Sequence, residues 1–264
     1  MSSEGADSAE GSARIVSLVP SVTEALFALG AGREVVGVSQ YCDYPPRALQ
    51  LPKVGTFLSP NIEAIIGLRP TIVIGLAMSS NSREIRALGA MGIPTLMIRD
   101  DSVLQIEESI ERVGDRIGHP REAARVVAQI RHEMESVEQR LETVPVRRVL
   151  MVVGHQPLVA VGHGTYLDDL LILAHASNIA DLSIQQWPRL SLEYVIASRP
   201  EVILDGQMGT DPSTPVTFWN RYPSIPAVRE HHVLGYPEDP TLHAGPRIGQ
   251  TFEILARRIH PEAF

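Results

Sequence analysis

The chain has 264 residues, enough for one large domain or two smaller ones, and 44% of them are hydrophobic against 20% charged, so a sizeable core is expected and global disorder is excluded. Acidic residues outnumber basic ones by 31 to 23, a net charge of −8 with no basic patch, which argues against nucleic acid as a partner. A single cysteine, Cys42, excludes an internal disulfide, a cysteine-rich zinc site and an iron–sulfur cluster, and no apolar run reaches the ~18 residues of a membrane span. Residues 1–13, acidic and rich in small side chains, are expected to form a disordered leader without the features of a signal peptide.

From Arg14 onward, short apolar runs alternate with helical stretches. Ile15–Val19 predicts a buried strand stopped by Pro20, and Ser21-Val-Thr-Glu24 reads as a capping box opening a helix that Gly30 ends. Strands are expected at Val35–Val38, Thr71–Ile74 and Thr95–Ile98, with helices at Asn61–Leu68, Arg83–Met91 and Val103–Ile117. Such a series implies a largely parallel sheet covered by helices.

Pro120 to Glu142 is one long helix. Its apolar residues Ala123, Val127, Ile130, Met134, Val137 and Leu141 fall at intervals of 4, 3, 4, 3 and 4. It serves either as a surface helix of one domain or as a strut between two. The second half of the chain favours the strut, because it repeats the first at an offset of 130 residues. Glu63 aligns with Glu193, Arg69-Pro70 with Arg199-Pro200, and Ile72-Val-Ile74 with Val202-Ile-Leu204. Ile15–Val19 has its partner in Val149–Val153. The expected organisation is an N-terminal α/β lobe over 14–118, a connecting helix over 119–143 and a C-terminal α/β lobe over 144–264.

No nucleophile elbow, phosphate-binding loop, dinucleotide fingerprint or zinc-protease pair occurs, so catalysis is not expected. The run from Gly154 to Gly164 follows a strand, where His155 and His163 could meet a ligand, or it forms a hairpin turn. Asp168-Asp169 is expected on a helix, facing solvent. The nine histidines form no helical metal pair, and no metal site is expected. Aromatics are few, and two of them, Phe57 and Trp187, lie six residues before Glu63 and Glu193. Rings at equivalent edges of two lobes suit a large, flat, partly apolar ligand, or else cap each core.

Arg14-Ile-Val-Ser-Leu-Val-Pro-Ser-Val-Thr-Glu24, Gly37-Val-Ser-Gln-Tyr-Cys-Asp-Tyr-Pro-Pro46, Asn61-Ile-Glu63, Trp187-Pro-Arg-Leu-Ser-Leu-Glu193 and His243-Ala-Gly-Pro-Arg-Ile248 resemble the substrate-binding proteins of ABC importers for cobalamin and ferric siderophores. The vitamin B12-binding members are the most similar, over nearly the whole chain. The resemblance implies an α/β fold of two Rossmann-like lobes joined by a single long backbone helix, with the ligand in a cleft between them. It implies Tyr41, Phe57 and Trp187 as aromatics against the ligand, with Phe57 and Leu76 standing where the B12 binder has tryptophans. His155, Asp239 and His243 complete the expected ligand-binding set, and His155, His243 or Tyr41 could ligate the metal of a bound chelate. Glu63 and Glu193 are expected to dock on a permease dimer, since two symmetric carboxylates can register a two-lobed protein on a two-fold partner.

The expected function is therefore capture of cobalamin or a related corrinoid for an ABC importer, by a protein that is monomeric when free and has no cofactor of its own. The alternatives are a haem or ferric-siderophore binder, or a cytosolic carrier or enzyme on the same fold. A periplasmic or cell-surface location is expected if an export signal was removed, and a cytoplasmic one otherwise.

Overall fold

A computed structural model describes residues 13–78, 80–181, 185–206 and 214–264. The expected leader lies outside the described residues apart from Ala13. The chain divides into two compact units, one holding the described residues up to Ile98 with Val113–Glu122, the other Arg99–Arg112 with Ala123–Phe264.

The first unit contains β1 (Ile15–Ser17), α1 (Pro20–Ala28), β2 (Val35–Val38), α2 (Ile62–Gly67), β3 (Ile72–Leu76), α3 (Ser82–Ala90) and β4 (Thr95–Ile98). Helices α4 (Val103–Ile117) and α5 (Pro120–Leu141) each contribute residues to both units. The sheet is parallel, in the order β2-β1-β3-β4. Its central strands are buried along nearly their whole length, which is why they read as unbroken apolar runs rather than alternations. Val16, Leu18, Val54, Ile65, Val73 and Leu88 form one core cluster here.

The predicted capping box is not formed. Helix α1 begins two residues earlier, at Pro20, with extended Val19 in place of Ser21 as its cap residue and no side-chain cap. Proline suits a first helical position, having no N–H to lose and a φ already set for the helix. The Thr23 hydroxyl turns inward and donates to Ser17 Oγ at 2.7 Å.

The second unit holds β5 (Arg147–His155), β6 (Leu158–Ala160), α6 (Tyr166–Leu173), β7 (Ala176–Asn178), α7 (Leu192–Ser198), β8 (Val202–Asp205), α8 (Thr214–Trp219), α9 (Pro226–Arg229), β9 (Val233–Gly235), α10 (Glu238–Thr241) and α11 (Ile248–Ile259). Strand β5 pairs in parallel with β7 on one edge and β8 on the other, and β8 pairs in parallel with β9. The Gly154–Gly164 run resolves as a hairpin, with β6 folding back antiparallel on the end of β5.

The duplicated pattern is present in the backbone. The order β7-β5-β8-β9 repeats β2-β1-β3-β4. Ile15, Val16 and Ser17 face Ile72, Val73 and Ile74, as Val149, Leu150 and Met151 face Val202, Ile203 and Leu204. Arg69 and Arg199, each before a proline, both take a left-handed conformation, with φ of 46° and 49°. The Arg14 guanidinium donates to the Leu68 carbonyl at the end of α2, and that of Arg148 to the Ser198 carbonyl at the end of α7. A cation on the final carbonyls offsets the unpaired acceptors every helix leaves at that end.

Asp168 does not face solvent as the sequence suggested. The Thr165 side chain caps α6 by accepting from the Asp168 amide at 3.1 Å, which turns that carboxylate inward onto Asn178. Asp169 instead accepts from the Val103 amide at 3.0 Å, capping the start of α4.

Candidate ligand-binding faces

Five of the seven expected ligand-binding residues lie at, or in loops following, the carboxyl ends of parallel strands, where α/β sheets commonly bind ligands, while Asp239 lies in α10 and His243 just after it. In the first unit these are Tyr41 and Phe57, both beyond β2, and Leu76, which ends β3. Tyr41 is 50% exposed, and its ring lies 5.9 Å from that of Phe57 in a tilted pair. The loop carrying Phe57 is fixed from below. Asn81, fully buried, donates from Nδ2 to the carbonyls of both Phe57 and Leu76 at 3.2 Å. Gly55 lets the loop close at φ 91°, where an added Cβ would lie 2.7 Å from the Ser59 carbonyl oxygen. Lys53, the only lysine, ties the neighbouring loop by donating to the Cys42 carbonyl at 2.8 Å.

In the second unit, Trp187 stands 45% exposed, outside the buried cluster of that unit, so it does not cap the core. Its segment is anchored on the hairpin: the Ala160 amide donates to Pro188 at 3.0 Å and the Leu190 amide to Leu158 at 2.9 Å. His155 is differently placed from a free ligand. Its side chain is only 7% exposed, with Nε2 2.6 Å from Asp205 Oδ2 and its ring stacked on Phe218 at 4.1 Å. The same Oδ2 accepts from the Trp219 indole at 2.6 Å. Nε2 is thus engaged by Asp205, and only Nδ1 could meet a chelated metal. Asp239 pairs with His243 Nδ1 at 3.1 Å and with both Nη atoms of Arg247, so two expected residues meet around a third that the sequence reading passed over.

Asn81, Asp205 and Arg247 are therefore site-building residues that sequence reasoning missed. Asp205 offered one signal, a carboxylate ending the otherwise apolar strand Val202–Asp205.

Glu63 and Glu193 have matched surroundings. Each is exposed in the first turn of its helix. Asn61 caps α2 by accepting from the Ala64 amide, and Ser191 caps α7 by accepting from the Tyr194 amide. Hydrogen bonds from its own backbone amide and the Ser191 hydroxyl hold the Glu193 carboxyl below the usual range. Among the described residues, neither glutamate forms an ion pair.

A family model described as periplasmic binding protein matches residues 15–240. The chain belongs to that family. Periplasmic binding proteins similar to it include a vitamin B12-binding protein of Photorhabdus laumondii, 28% identical over 94% of this chain and 88% of that one. An uncharacterized ABC transporter substrate-binding lipoprotein of Bacillus subtilis is 29% identical over 95% and 81%. Among solved structures, the periplasmic haem-binding protein RhuT from Roseiflexus sp. RS-1 superposes with a TM-score of 0.85 at 31% identity, covering 96% of this chain and all of its own. The vitamin B12-binding protein BtuF of Vibrio cholerae shares the fold with a TM-score of 0.83 at 24% identity, over 95% and 97%. No helix among the described residues is long and apolar enough to cross a membrane.

Proposed function

We propose that this periplasmic binding protein captures cobalamin or a related corrinoid, performs no chemistry on it, and delivers it to an ABC importer. The carrying observation is the exposed rings of Tyr41, paired with half-buried Phe57, on one unit and of Trp187 on the other. Both stand on rigidly anchored loops beyond the strand ends. Aromatic rings on anchored loops suit a flat, partly apolar macrocycle. The curated relatives named for vitamin B12 support this reading over most of the chain. Glu63 and Glu193 act in the same proposal as the permease-docking charges, both exposed in the first turn of a helix.

Haem is the second reading. It is favoured by the exposed phenol of Tyr41, an acceptable axial ligand, and by the likeness to RhuT. Titration of the purified protein with cobalamin, cobinamide, haem and a ferric siderophore, followed by calorimetry and absorbance, separates the readings. The corrinoid reading expects saturable 1:1 binding of cobalamin or cobinamide that survives Tyr41→Phe. Binding of haem alone, lost with its absorbance band in Tyr41→Phe, would replace it with the second reading.

A further inference from the structure

The second unit carries a cluster of metal-ligating side chains with no part in the proposed ligand faces. His163 Nδ1 lies 3.0 Å from Asp181 Oδ1 and 3.7 Å from Asp168 Oδ2. All three donor atoms fall within 4.8 Å of one another. Their burial is unequal in an informative way. His163 and Asp181 are exposed, whereas Asp168 is 2% exposed. Its Oδ1 accepts from Asn178 Nδ2 at 2.7 Å, but among the described residues no hydrogen bond reaches Oδ2, which points at the cluster.

We propose that His163, Asp168 and Asp181 form a binding site for a divalent cation of the zinc type. One imidazole nitrogen and two carboxylate oxygens are the mixed donor set of that class, and calcium or magnesium favours oxygen alone. Ligands at 2.0–2.1 Å on a tetrahedral ion stand about 3.3–3.4 Å apart. The two distances from His163 bracket that value, and the two carboxylates lie within 4.8 Å of each other, close enough to converge on one ion. Three protein ligands leave the fourth position to water. The turn is held ready for this: the Thr165 hydroxyl donates to the Gly162 carbonyl at 3.0 Å, and Gly164 takes a φ of 75°. It is also clamped to the residue before Trp187. The Gly162 amide donates to the Gln186 carbonyl, and Gln186 Nε2 donates to the Gly164 carbonyl, both at 2.8 Å. A cation on His163 therefore stiffens the support of the Trp187 segment whatever ligand that residue meets.

The test is calorimetric titration of the whole protein with zinc chloride, beside calcium and magnesium chlorides. One saturable zinc site per chain is expected, with affinity falling at least tenfold in His163→Ala and in Asp181→Asn. Both changed side chains are exposed, so these variants are expected to fold, and their melting curves without metal check it. Asp168→Asn gives the same loss if its fold is retained. Absence of saturable zinc binding overturns the proposal. Undiminished affinity in His163→Ala, which would place the ion at other histidines, overturns it too, as does equal binding of magnesium or calcium.

Discussion

Asp100 illustrates how a single buried acid sets a pH dependence. Burial, with Asp101 beside it, pushes its carboxyl up to about 6 from an ordinary 3.8. The folded state then holds the proton more tightly than the unfolded chain, so the contribution is full below about pH 4 and is lost as pH climbs through 6. Asp100→Asn should accordingly be more stable than the parent at pH 8, by about 3 kcal/mol, with the margin closing toward pH 4. Thermal melts at several pH values check this. Trp187→Ala makes the opposite test: an exposed anchor contributes to binding rather than to the core. Its melting temperature should hold while ligand affinity falls roughly thirtyfold, the equivalent of ~2 kcal/mol for a stacked aromatic. Parallel measurement of melting temperature and dissociation constant checks both halves. Trp187 and Tyr41 were legible from the sequence because each stands beside a proline-bearing loop and needs no distant partner to be noticed. Asn81 and Asp205 were not. Their meaning comes from Phe57, 24 residues away, and from His155, 50 residues away, pairings that exist only after the chain has folded.

Helix and strand positions were readable wherever the pattern is local. The 4-3 spacing of α5 survives as a buried stripe of the six residues named from it, and β4 and α4 run over the predicted residues. The start of α1 was misread because Ser21 and Glu24 meet a capping consensus, while the proline before them sets the true first turn. Asp168 was misread for a related reason: charge suggests a solvated face, and only the Thr165 cap and Asn178 turn it inward. The repeated arginine device offers a prediction for elements as units. Arg14 donates to the carbonyls of Leu68 and Arg69, and Arg148 to Ser198, each closing a helix against the first residues of a strand. Arg14→Met and Arg148→Met should each cost about 1 kcal/mol, a fall of about 2–4 °C in melting temperature for a chain of this size. Because the two sites sit in different units and share no partner, the double variant should show the sum, as a double-mutant cycle would measure.

Across the whole molecule, Glu63 and Glu193 occupy corresponding positions in two units built on the same strand order. Changing both to arginine should abolish importer-stimulated uptake, since like charges would then meet at the docking surface, and should leave ligand affinity unchanged. Transport into vesicles carrying the importer, beside a binding titration, measures both. The duplication itself was legible, because a 130-residue offset aligns a glutamate, an Arg-Pro pair and a strand together. The division into units was not, for the chain changes unit after Ile98, at the end of β4, and again after Arg112 and Glu122, inside two helices that read as uninterrupted. That interlacing constrains inheritance. A crossover between two relatives at either of those helix positions joins halves whose packing partners come from different parents. No single breakpoint moves either unit whole, so chimaeras that take each unit from one parent need three breakpoints, after Ile98, Arg112 and Glu122.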